Sequence, residues 1–349
     1  MPRRPALSEA AGATVAVVIV NYRTPQLTID CLAALGGERK SLPGLRAIVV
    51  DGGSGDESAG VLAEAVARPE YKGWASFMPL PINGGFGWAN NQAILTLALD
   101  PEPPEFIYVL NPDTRVLGEA VTKLVQDLRG HPRCGAAGSQ LVDGVGRPSA
   151  SAFYFPSVGR ELVNGSQSEK LGRIFGVERT PTLADEAREV DWVTGASAMF
   201  RMAALRDTGL FDDGFFLYFD EVELMHRLRR HGWTVRHVPE SRVVHLEGAS
   251  TGLGESASVS RLPAYWYRSR RRYFALTGGR PSVVGADLAL LTGRFVAILK
   301  ALVRPGFRSR AAGLDLLRFG FWPRRADRHP SAPRLGDRPG VPPSWMTQR

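Results

Sequence analysis

Three short polar segments stand directly after apolar runs in the first third of the chain. They are Asn21-Tyr22-Arg23, Asp51-Gly52-Gly53-Ser54 and Asn111-Pro112-Asp113. A carboxylate at such a position accepts hydrogen bonds from a nucleobase or ribose, and glycines let backbone amides approach a phosphate closely. An aspartate also supplies the oxygen ligand that Mg²⁺ or Mn²⁺ prefers, and such an ion bridges two phosphates. These residue types therefore indicate a nucleoside-diphosphate site, with Asp51 on the nucleoside and Asp113 on a cation.

Each of these aspartates also has a structural interpretation. Asp51 can simply begin a turn, and Asp113 with Thr114 can form the capping turn of a helix. A single carboxylate does not make a metal site, so a second ligand is needed. His245, at the end of a later apolar run, is the candidate. A lone histidine is more often structural, so the sequence leaves this choice open.

An acidic cluster, Asp220-Glu221-Val222-Glu223, follows the aromatic run Phe215–Phe219. A carboxylate packed against aromatic surface has a raised pKa, as a general base requires. Acids in the first turn of a helix also oppose the helix macrodipole, which is a purely structural role. Composition alone does not separate these two hypotheses.

The apolar runs around these segments predict the scaffold that positions them. Val15–Tyr22, Ala47–Val50 and Phe106–Leu110 are continuous apolar runs, as expected of strands buried on both faces of a parallel sheet. Helical patterns over Pro25–Leu35 and from Asp56 to Ala67 complete βαβ units, so we predict an α/β fold with a doubly wound, mostly parallel sheet. Ligands bind such sheets at the carboxyl ends of the strands, where the three polar segments meet.

The rest of the chain continues this alternation. Helices are predicted from Asn83-Gly84-Gly85 through Leu99 and over Gly118–Arg129, and the segment Val142–Arg188 is predicted to be irregular. Strands are predicted near Gly135–Leu141, Val190–Arg201, Thr234–Val238 and Val243–Leu246.

Composition limits the classes of protein. The 349 residues are 44% hydrophobic and 22% charged, which is ordinary for a globular chain. Cys31 and Cys134 are the two cysteines, too few for a disulfide scaffold or a cysteine zinc site, so we expect two buried thiols. No stretch of about 18 uninterrupted apolar residues occurs, so a transmembrane span is not expected. The N-terminal apolar run Val15–Val20 is too short for a secretory signal core and lacks a small-residue cleavage site, so no secretory signal is expected either.

The positive charge is concentrated near the C-terminus. The chain carries a formal net charge of +8, but the segment Arg261–Arg310 alone carries eleven Arg or Lys against Asp287. Within it, Val283–Val303 has the pattern of an interfacial helix, which predicts an anionic membrane surface as partner. The alternatives are a helix pair that covers the sheet, and nucleic acid, although no known nucleic-acid-binding motif is present. The proline-rich stretch Phe321–Arg349 is predicted to be disordered.

Seven segments in order resemble family 2 glycosyltransferases, in particular the bacterial rhamnosyltransferase-like branch. Together they span about residues 15–250, and each is weak singly. They are VVIVNYRT (Val17–Thr24), IVVDGGSGD (Ile48–Asp56), NGGFGWANN (Asn83–Asn91), VLNPDT (Val109–Thr114), DWVTGASAMF (Asp191–Phe200), FDDGFFLYFDEVEL (Phe211–Leu224) and VVHLEGAS (Val243–Ser250).

The resemblance implies the GT-A fold and roles for individual residues. Asp51 is implied to bind the nucleobase, Asp113 to hold the metal in a degenerate DxD motif with His245 as a further metal contact, and Glu221 to act as general base. The residues implied to bind the nucleotide sugar are Asn21, Tyr22, Arg23, Asp51, Gly53, Asn83, Asn91, Asn111, Asp113, Trp192 and Gly195.

Two departures from the family pattern stand out. The usual Glu-Asp pair is Asp220-Glu221 here, which leaves the choice of base between these two acids open. The usual Asp-Asn-Gly-Ser loop has Gly52 in place of Asn, a small change because both residues tolerate positive φ.

These expectations combine into one functional hypothesis. The chain is expected to be an inverting, Mg²⁺- or Mn²⁺-dependent glycosyltransferase that moves a sugar, first choice L-rhamnose from dTDP-rhamnose, to a lipid-linked or polysaccharide acceptor. It is expected to be cytoplasmic, peripheral on the inner face of a bacterial plasma membrane, and active in cell-envelope glycan synthesis. The alternatives are a nucleotidyltransferase that makes a nucleotide sugar and an inactive membrane scaffold. The expected divisions are a tail (1–13), the catalytic domain (14–258), a helical membrane-associating extension (259–320) and a disordered tail (321–349).

Overall fold

The centre of the protein is a nine-stranded sheet, seen in a computed structural model that describes residues 12–174, 176–177, 186–246, 262–303 and 330–347. A two-stranded sheet, β7 with β9, lies beside it. The strands are β1 (Val15–Asn21), β2 (Leu45–Asp51), β3 (Ala75–Pro79), β4 (Phe106–Leu110), β5 (Thr114–Leu117), β6 (Cys134–Val142), β7 (Ala152–Phe153), β8 (Arg188–Val190), β9 (Trp192–Val193), β10 (Ser197–Arg201) and β11 (Thr234–His245).

The main sheet has the order β3-β2-β1-β4-β10-β6-β11-β5, with β8 also paired to β11. The half that contains β3, β2, β1 and β4 is parallel throughout. Beyond it β10 runs antiparallel to both of its neighbours, whereas β11 runs parallel to β6. The predicted α/β class with a mostly parallel sheet is confirmed, and the ends of β1, β2 and β4 do meet at one edge.

Helices cover both faces of the sheet, as a strand that is apolar on both sides requires. Val15, Val17 and Ile19 of β1 enter one hydrophobic core, and Ala16 and Val18 enter the other. The helices are α1 (Pro25–Leu35), α2 (Ser58–Val66), α3 (Phe86–Ala98), α4 (Ala120–Gly130), α5 (Val158–Ser166), α6 (Glu169–Ile174), α7 (Met202–Thr208), α8 (Asp220–Arg230), α9 (Ala264–Val303) and α10 (Ser344–Thr347).

Three strands, β3, β5 and β7, lie where none was predicted, and β7 belongs to the segment predicted to be irregular. β3 is an edge strand with partly exposed side chains, so it lacks the continuous apolar run of its neighbours. β5 begins at Thr114, which pairs with His245 of β11. The Asp113-Thr114 segment is therefore not a helix cap. The two strands that were predicted over residues 234–246 form one strand, β11, whose register with β6 is irregular between Val238 and Arg242.

The segment predicted to be irregular contains two helices, α5 and α6. The amphipathic pattern of α5 is not apparent in the sequence, because glycines and serines surround its few apolar residues. α5 packs against α9, where Gly293 lies so close that an added Cβ would stand 2.5 Å from the Leu162 carbonyl oxygen. Glycine therefore permits a backbone-to-backbone crossing of the two helices.

α9 is a long helix with an interruption at Gly279, where φ is 67°, followed by Pro281. Its buried anchor is Arg270, whose guanidinium donates to the Glu161 carboxylate of α5 at 2.9 Å and to the Asp287 carboxylate at 2.5 Å. By length and composition, α9 is long and apolar enough to cross a membrane. No such span was predicted from the sequence, because charged residues interrupt its apolar runs.

The segment 330–347, hereafter the C-terminal segment, packs on the domain. The Trp88 indole N–H, for example, donates to the Val341 carbonyl oxygen at 2.8 Å. The prediction of disorder over Phe321–Arg349 is therefore wrong for this part, while residues 321–329 lie outside the described chain. Proline lacks a backbone N–H, so it cannot donate a hydrogen bond. Here the N–H groups belong to the domain and donate to carbonyl groups of the C-terminal segment, so a proline-rich segment can still be held in place.

Cys31 and Cys134 are both buried and free of disulfide bonds, as predicted. Burial raises the pKa of each thiol to about 12, so neither is a reactive thiolate at neutral pH.

Candidate active site

The end of β1 holds the loop after β2 in place. The Asn21 amide donates to Asp51 Oδ1 at 2.8 Å, and the Ser54 hydroxyl donates to the same oxygen at 2.6 Å. The Ser54 backbone N–H donates to Asp51 Oδ2 at 3.1 Å. Both Asp51 oxygens are thus fixed, and Asn21 is fully buried, so Asn21 acts by orienting Asp51. Ser54 was not singled out from the sequence, although it stands in the matched segment.

Arg23 and Tyr22 form the exposed side of this loop. Arg23 adopts a left-handed backbone with φ of 59°, and its guanidinium Nε donates to the Ser54 carbonyl at 3.0 Å. The guanidinium lies 5.2 Å from the centre of the Tyr22 ring. Gly53 has φ of 72°, and a Cβ there would stand 2.4 Å from the Ile82 carbonyl carbon, so only glycine fits. These residues present a cation and a ring where a nucleotide would lie.

The turn before α3 contacts the loop 210–219, hereafter the aromatic loop. Asn83 Oδ1 accepts from the Gly85 N–H at 3.1 Å, and the Phe86 N–H donates to the Phe216 carbonyl at 3.0 Å. A Cβ on Gly85 would stand 2.1 Å from that carbonyl oxygen. The aromatic loop is thus pinned backbone to backbone against the start of α3.

Asn91 was predicted to contact the nucleotide sugar, but the structure places it elsewhere. It is fully buried, donates to the Phe211 carbonyl at 2.8 Å and accepts from the Phe211 N–H at 3.1 Å. It also donates to Asp213 Oδ1 at 2.7 Å. Since these bonds fasten α3 to the aromatic loop, Asn91 is a structural residue here.

Asp113 and His245 come together although 132 positions separate them in the chain. His245 Nε2 lies 3.4 Å from Asp113 Oδ1, and Asp113 is buried. The pairing follows from the sheet, because β5 begins after Asp113 and pairs with the end of β11. One carboxylate and one imidazole now face each other at the edge where a diphosphate would bind.

The acid pair lies at the first turn of α8. Asp220 is buried close to Gly87, where an added Cβ would stand 3.2 Å from Asp220 Oδ2, while Glu221 is half-buried beside Gly195. Burial is the main cause that raises the pKa of Glu221 well above its ordinary value, and the neighbouring Asp220 charge adds to it. Burial also raises the pKa of Asp220. This is the environment that a general base needs.

The third acid of the cluster has another role. Glu223 pairs with Arg227 one turn along α8 at 2.7 Å, and both side chains are mostly buried. Glu223 is therefore a structural anion, which leaves Asp220 and Glu221 as the candidates for chemistry.

The backbone that presents the acid pair is strained. Tyr218 and Phe219 have φ of 67° and 66°, a conformation that bulky residues seldom adopt. Such strain persists only where surrounding structure imposes it, and it is frequent at functional sites. Here the left-handed pair turns the chain from the aromatic loop into α8, so that Asp220 and Glu221 begin the helix.

The metal-site loop and the acid pair are linked through one short segment. The Asn111 N–H donates to the Ala196 carbonyl at 3.0 Å, and the adjacent Gly195 lies beside Glu221. A Cβ on Gly195 would lie within 3.6 Å of the Glu221 Cβ and 3.4 Å of the Phe86 ring. These are ordinary van der Waals distances, so Gly195 is a close neighbour of both Glu221 and Phe86.

A cavity of about 290 Å³ opens at this edge of the sheet. Tyr22, Asn83 and Asn111, all predicted site residues, line it. Phe216 and Leu217 of the aromatic loop and Tyr265 of α9 form its opposite wall, and no local sequence pattern marks these three as site residues. The full lining is Val20, Tyr22, Gly52, Asn83, Gly85, Phe86, Ala89, Asn111, Pro112, Phe216, Leu217 and Tyr265.

Trp192 packs rather than lining this cavity. Its ring stacks on Phe153 at 4.3 Å between centroids, and its indole N–H donates to the Tyr154 carbonyl at 3.0 Å. The resemblance implied a contact of Trp192 with the nucleotide sugar, whereas these contacts indicate a packing role.

The residues present fit a divalent cation that shares its coordination with a ligand. No group of three or more His, Cys, Asp and Glu converges among the described residues. Asp113 and His245 together supply an oxygen and a nitrogen, and diphosphate oxygens and water are the usual remaining ligands of Mg²⁺. The donor set therefore suits a cation that arrives with a nucleoside diphosphate.

The fold and this edge of the sheet define a GT-A glycosyltransferase. The mannosyltransferase PcManGT of Pyrobaculum calidifontis, solved with GDP-Man and Mn²⁺, is 15% identical, with a TM-score of 0.50 over 88% of this chain and 79% of that chain. GalNAc-T7, solved with UDP, GalNAc and Mn²⁺, is 13% identical, with a TM-score of 0.53 over 93% of this chain and 55% of that chain. At these identities the likeness concerns the fold alone.

The sequence comparisons are more specific. Residues 106–302 match the model of glycosyl transferase family group 2. The N-acetylglucosaminyl-diphospho-decaprenol L-rhamnosyltransferase of Mycobacterium tuberculosis is 30% identical over 218 residues, which cover 59% of this chain and 67% of that protein. The chain belongs to glycosyl transferase family group 2. It is an enzyme that transfers a glycosyl group in glycan synthesis, as predicted, and not a nucleotidyltransferase or an inactive scaffold.

Proposed function

We propose that this enzyme transfers a sugar from a nucleoside diphosphate by a single displacement in which Glu221 is the general base. The observation that carries this proposal is the placement of Glu221 at the first turn of α8, with a raised pKa and with Gly195 beside it. Glu221 takes the proton from an acceptor hydroxyl while that oxygen attacks the anomeric carbon. The bond to the nucleoside diphosphate breaks in the same step, so the configuration at this carbon inverts.

Asp113 and His245 hold the divalent cation in this proposal. Mg²⁺ or Mn²⁺, when bound, neutralises the charge that develops on the departing diphosphate. Their 3.4 Å approach at the sheet edge supports the assignment. Asp51, oriented by Asn21 and Ser54, binds the nucleoside, and the Arg23 guanidinium on the exposed side of the loop faces the phosphates.

The proposed donor is dTDP-L-rhamnose and the proposed acceptor a polyprenyl-diphosphate-linked sugar. The support is the 30% identity to a protein whose name specifies an L-rhamnosyl group and an N-acetylglucosaminyl-diphospho-decaprenol. A uridine-diphosphate hexose is the alternative donor.

We place the second half of α9 at the surface of a membrane. Val284, Leu288, Phe295, Ile298 and Leu302 recur at helical spacing, and each is between 47% and 78% exposed. The exposed Arg280 precedes this stripe, whereas Lys300 lies on the opposite face and donates to the Ser166 carbonyl of α5 at 3.1 Å. The opposite face of the helix packs on α5, so the helix fits the interface of an anionic bilayer on the cytoplasmic side better than a span across it.

The reaction is tested by the release of nucleoside diphosphate from purified full-length protein. A panel of nucleotide sugars is incubated with Mn²⁺ or Mg²⁺ and a bacterial lipid extract. The expected result is release from dTDP-rhamnose that requires both metal and lipid. Release from a different donor would replace the sugar assignment. Donor binding without release from any donor would overturn the proposed acceptor class.

The membrane surface is tested by co-sedimentation with vesicles of phosphatidylglycerol and phosphatidylcholine. The wild type is expected to bind the anionic vesicles, more weakly at high salt, and Phe295→Glu to lose this binding. Val145→Glu, which changes an exposed apolar residue outside α9, is the matched control. Equal binding by the Phe295 variant would contradict the assignment, and retention after an alkaline carbonate wash would indicate a spanning helix instead.

A further inference from the structure

The C-terminal segment is fastened along the aromatic loop. The Leu210 N–H donates to the Pro333 carbonyl at 2.9 Å, and the Asp213 N–H donates to the Ser331 carbonyl at 3.2 Å. In return the Ser331 N–H donates to Asp212 Oδ2 at 2.9 Å. The contact is therefore made mainly through backbone groups, in the manner of a short strand pair.

A buried ion pair connects this contact to α9. The Arg272 guanidinium donates to Asp212 Oδ1 from Nε at 2.9 Å and from Nη2 at 2.6 Å. Nη2 also donates to the Ser331 hydroxyl at 3.3 Å. Arg272 and Asp212 are both buried, so one arginine joins the aromatic loop, α9 and the C-terminal segment.

The far end of the C-terminal segment meets the cavity wall. The Trp345 ring lies edge-on to Phe216, with centroids 5.5 Å apart and planes at 85°. Phe216 in turn contacts Tyr265 at 5.5 Å and 66°. Phe216 and Tyr265 line the cavity, whereas Trp345 stands behind them and is 37% exposed. Trp345 therefore supports the wall from outside.

We propose that the C-terminal segment is part of the transferase site and that Trp345 is a positioning residue for the acceptor. The aromatic loop carries Phe216 of the cavity wall and is followed directly by Asp220 and Glu221, so a displacement of this wall is expected to change how an acceptor hydroxyl approaches Glu221. Aromatic side chains with a few polar groups are the usual lining for such a ligand. The inference rests on the proposed function, because it assigns the wall to the acceptor and not to the donor.

The test compares Trp345→Ala, Trp345→Phe and the neighbouring control Met346→Ala in the full chain. Initial rates are measured with N-acetylglucosaminyl-diphospho-decaprenol varied at saturating dTDP-rhamnose, and dTDP affinity by calorimetry. Trp345→Ala is expected to raise the acceptor KM about 10-fold or more, since small displacements of positioning groups cost this much. The dTDP affinity should stay unchanged, Trp345→Phe should recover most of the loss, and Met346→Ala should match the wild type. An unchanged acceptor KM, or a parallel loss of dTDP affinity, would overturn the proposal.

A second readout does not depend on turnover. Hydrogen–deuterium exchange of the backbone amides in residues 210–219 is expected to be faster in Trp345→Ala than in the wild type or Trp345→Phe. If the wild type transfers no sugar with these substrates, the proposed function fails, while the exchange still judges the role of Trp345. Equal exchange in all variants would overturn that role by itself.

Discussion

Asp220 and Glu221 are neighbours at the start of α8, where Asp220 is buried and Glu221 is half-buried. Burial is the main cause that raises the pKa of both acids, and the Asp220 charge raises the pKa of Glu221 further. Glu221 is thus the acid that keeps the proton longer as the pH rises. Once deprotonated it is the stronger base, which supports the proposal of Glu221 over Asp220 as the general base.

The pH dependence of the reaction follows from this pair. A general base works only when deprotonated, so kcat/KM should rise with pH through the raised pKa of Glu221. Asp220→Asn removes the neighbouring negative charge, which lowers that pKa and moves the acidic limb to lower pH. Rates between pH 5 and pH 9 for the wild type and Asp220→Asn measure the shift. An acidic limb that does not move would mean that Asp220 does not perturb the base.

Removal of one proposed metal ligand should change the metal requirement. His245→Ala leaves Asp113 as the remaining protein ligand, so the Mn²⁺ concentration for half-maximal rate should rise about 10-fold or more. Calorimetric titration of Mn²⁺ in the presence of dTDP provides a readout apart from activity. The exposed His231, changed to Ala, is the matched control. If both variants titrate like the wild type, His245 is structural.

The anchor of α9 should be essential to stability. Arg270→Ala leaves the Glu161 and Asp287 carboxylates without their cation in a buried position, which costs about 3–5 kcal/mol in comparable cases. The exposed Arg280, changed to Ala, should alter stability by less than about 0.5 kcal/mol. Urea unfolding of the three proteins gives the comparison. Coinciding midpoints for Arg270→Ala and the wild type would show that water or other groups replace the ion pair.

Three strands of the parallel half, β1, β2 and β4, could be predicted because they are apolar on both faces. β1 and β4 appear in the sequence as unbroken apolar runs, and polar residues follow them directly. β3 could not be found in this way, since an edge strand with one exposed side has no such run. The C-terminal segment was equally hidden: its prolines indicate disorder, and the donors that hold it belong to residues such as Trp88 and Leu210, far away in the chain.

The site was predictable where local pattern and chemistry coincide. Asp51, Asp113 and Glu221 each follow or begin an element and carry a charge, so their types and positions pointed to a role. Tyr265 gave no such indication, because only the tertiary packing of α9 brings it to the cavity. Asn91 shows the reverse error, since its motif suggested a ligand contact while its amide fastens the aromatic loop.

Turnover by Glu221→Gln, compared with the wild type and Asp220→Asn, is the most direct test of Glu221 as the base. Release of dTDP from dTDP-rhamnose is followed with Mn²⁺ and the lipid-linked acceptor, while calorimetric dTDP affinity and melting temperature report on folding. Glu221→Gln is expected to fold and bind dTDP like the wild type yet lose about 100- to 10,000-fold in kcat, the usual effect of removing a general base. Near-normal turnover by Glu221→Gln, with the loss found in Asp220→Asn instead, would contradict the assignment and make Asp220 the base.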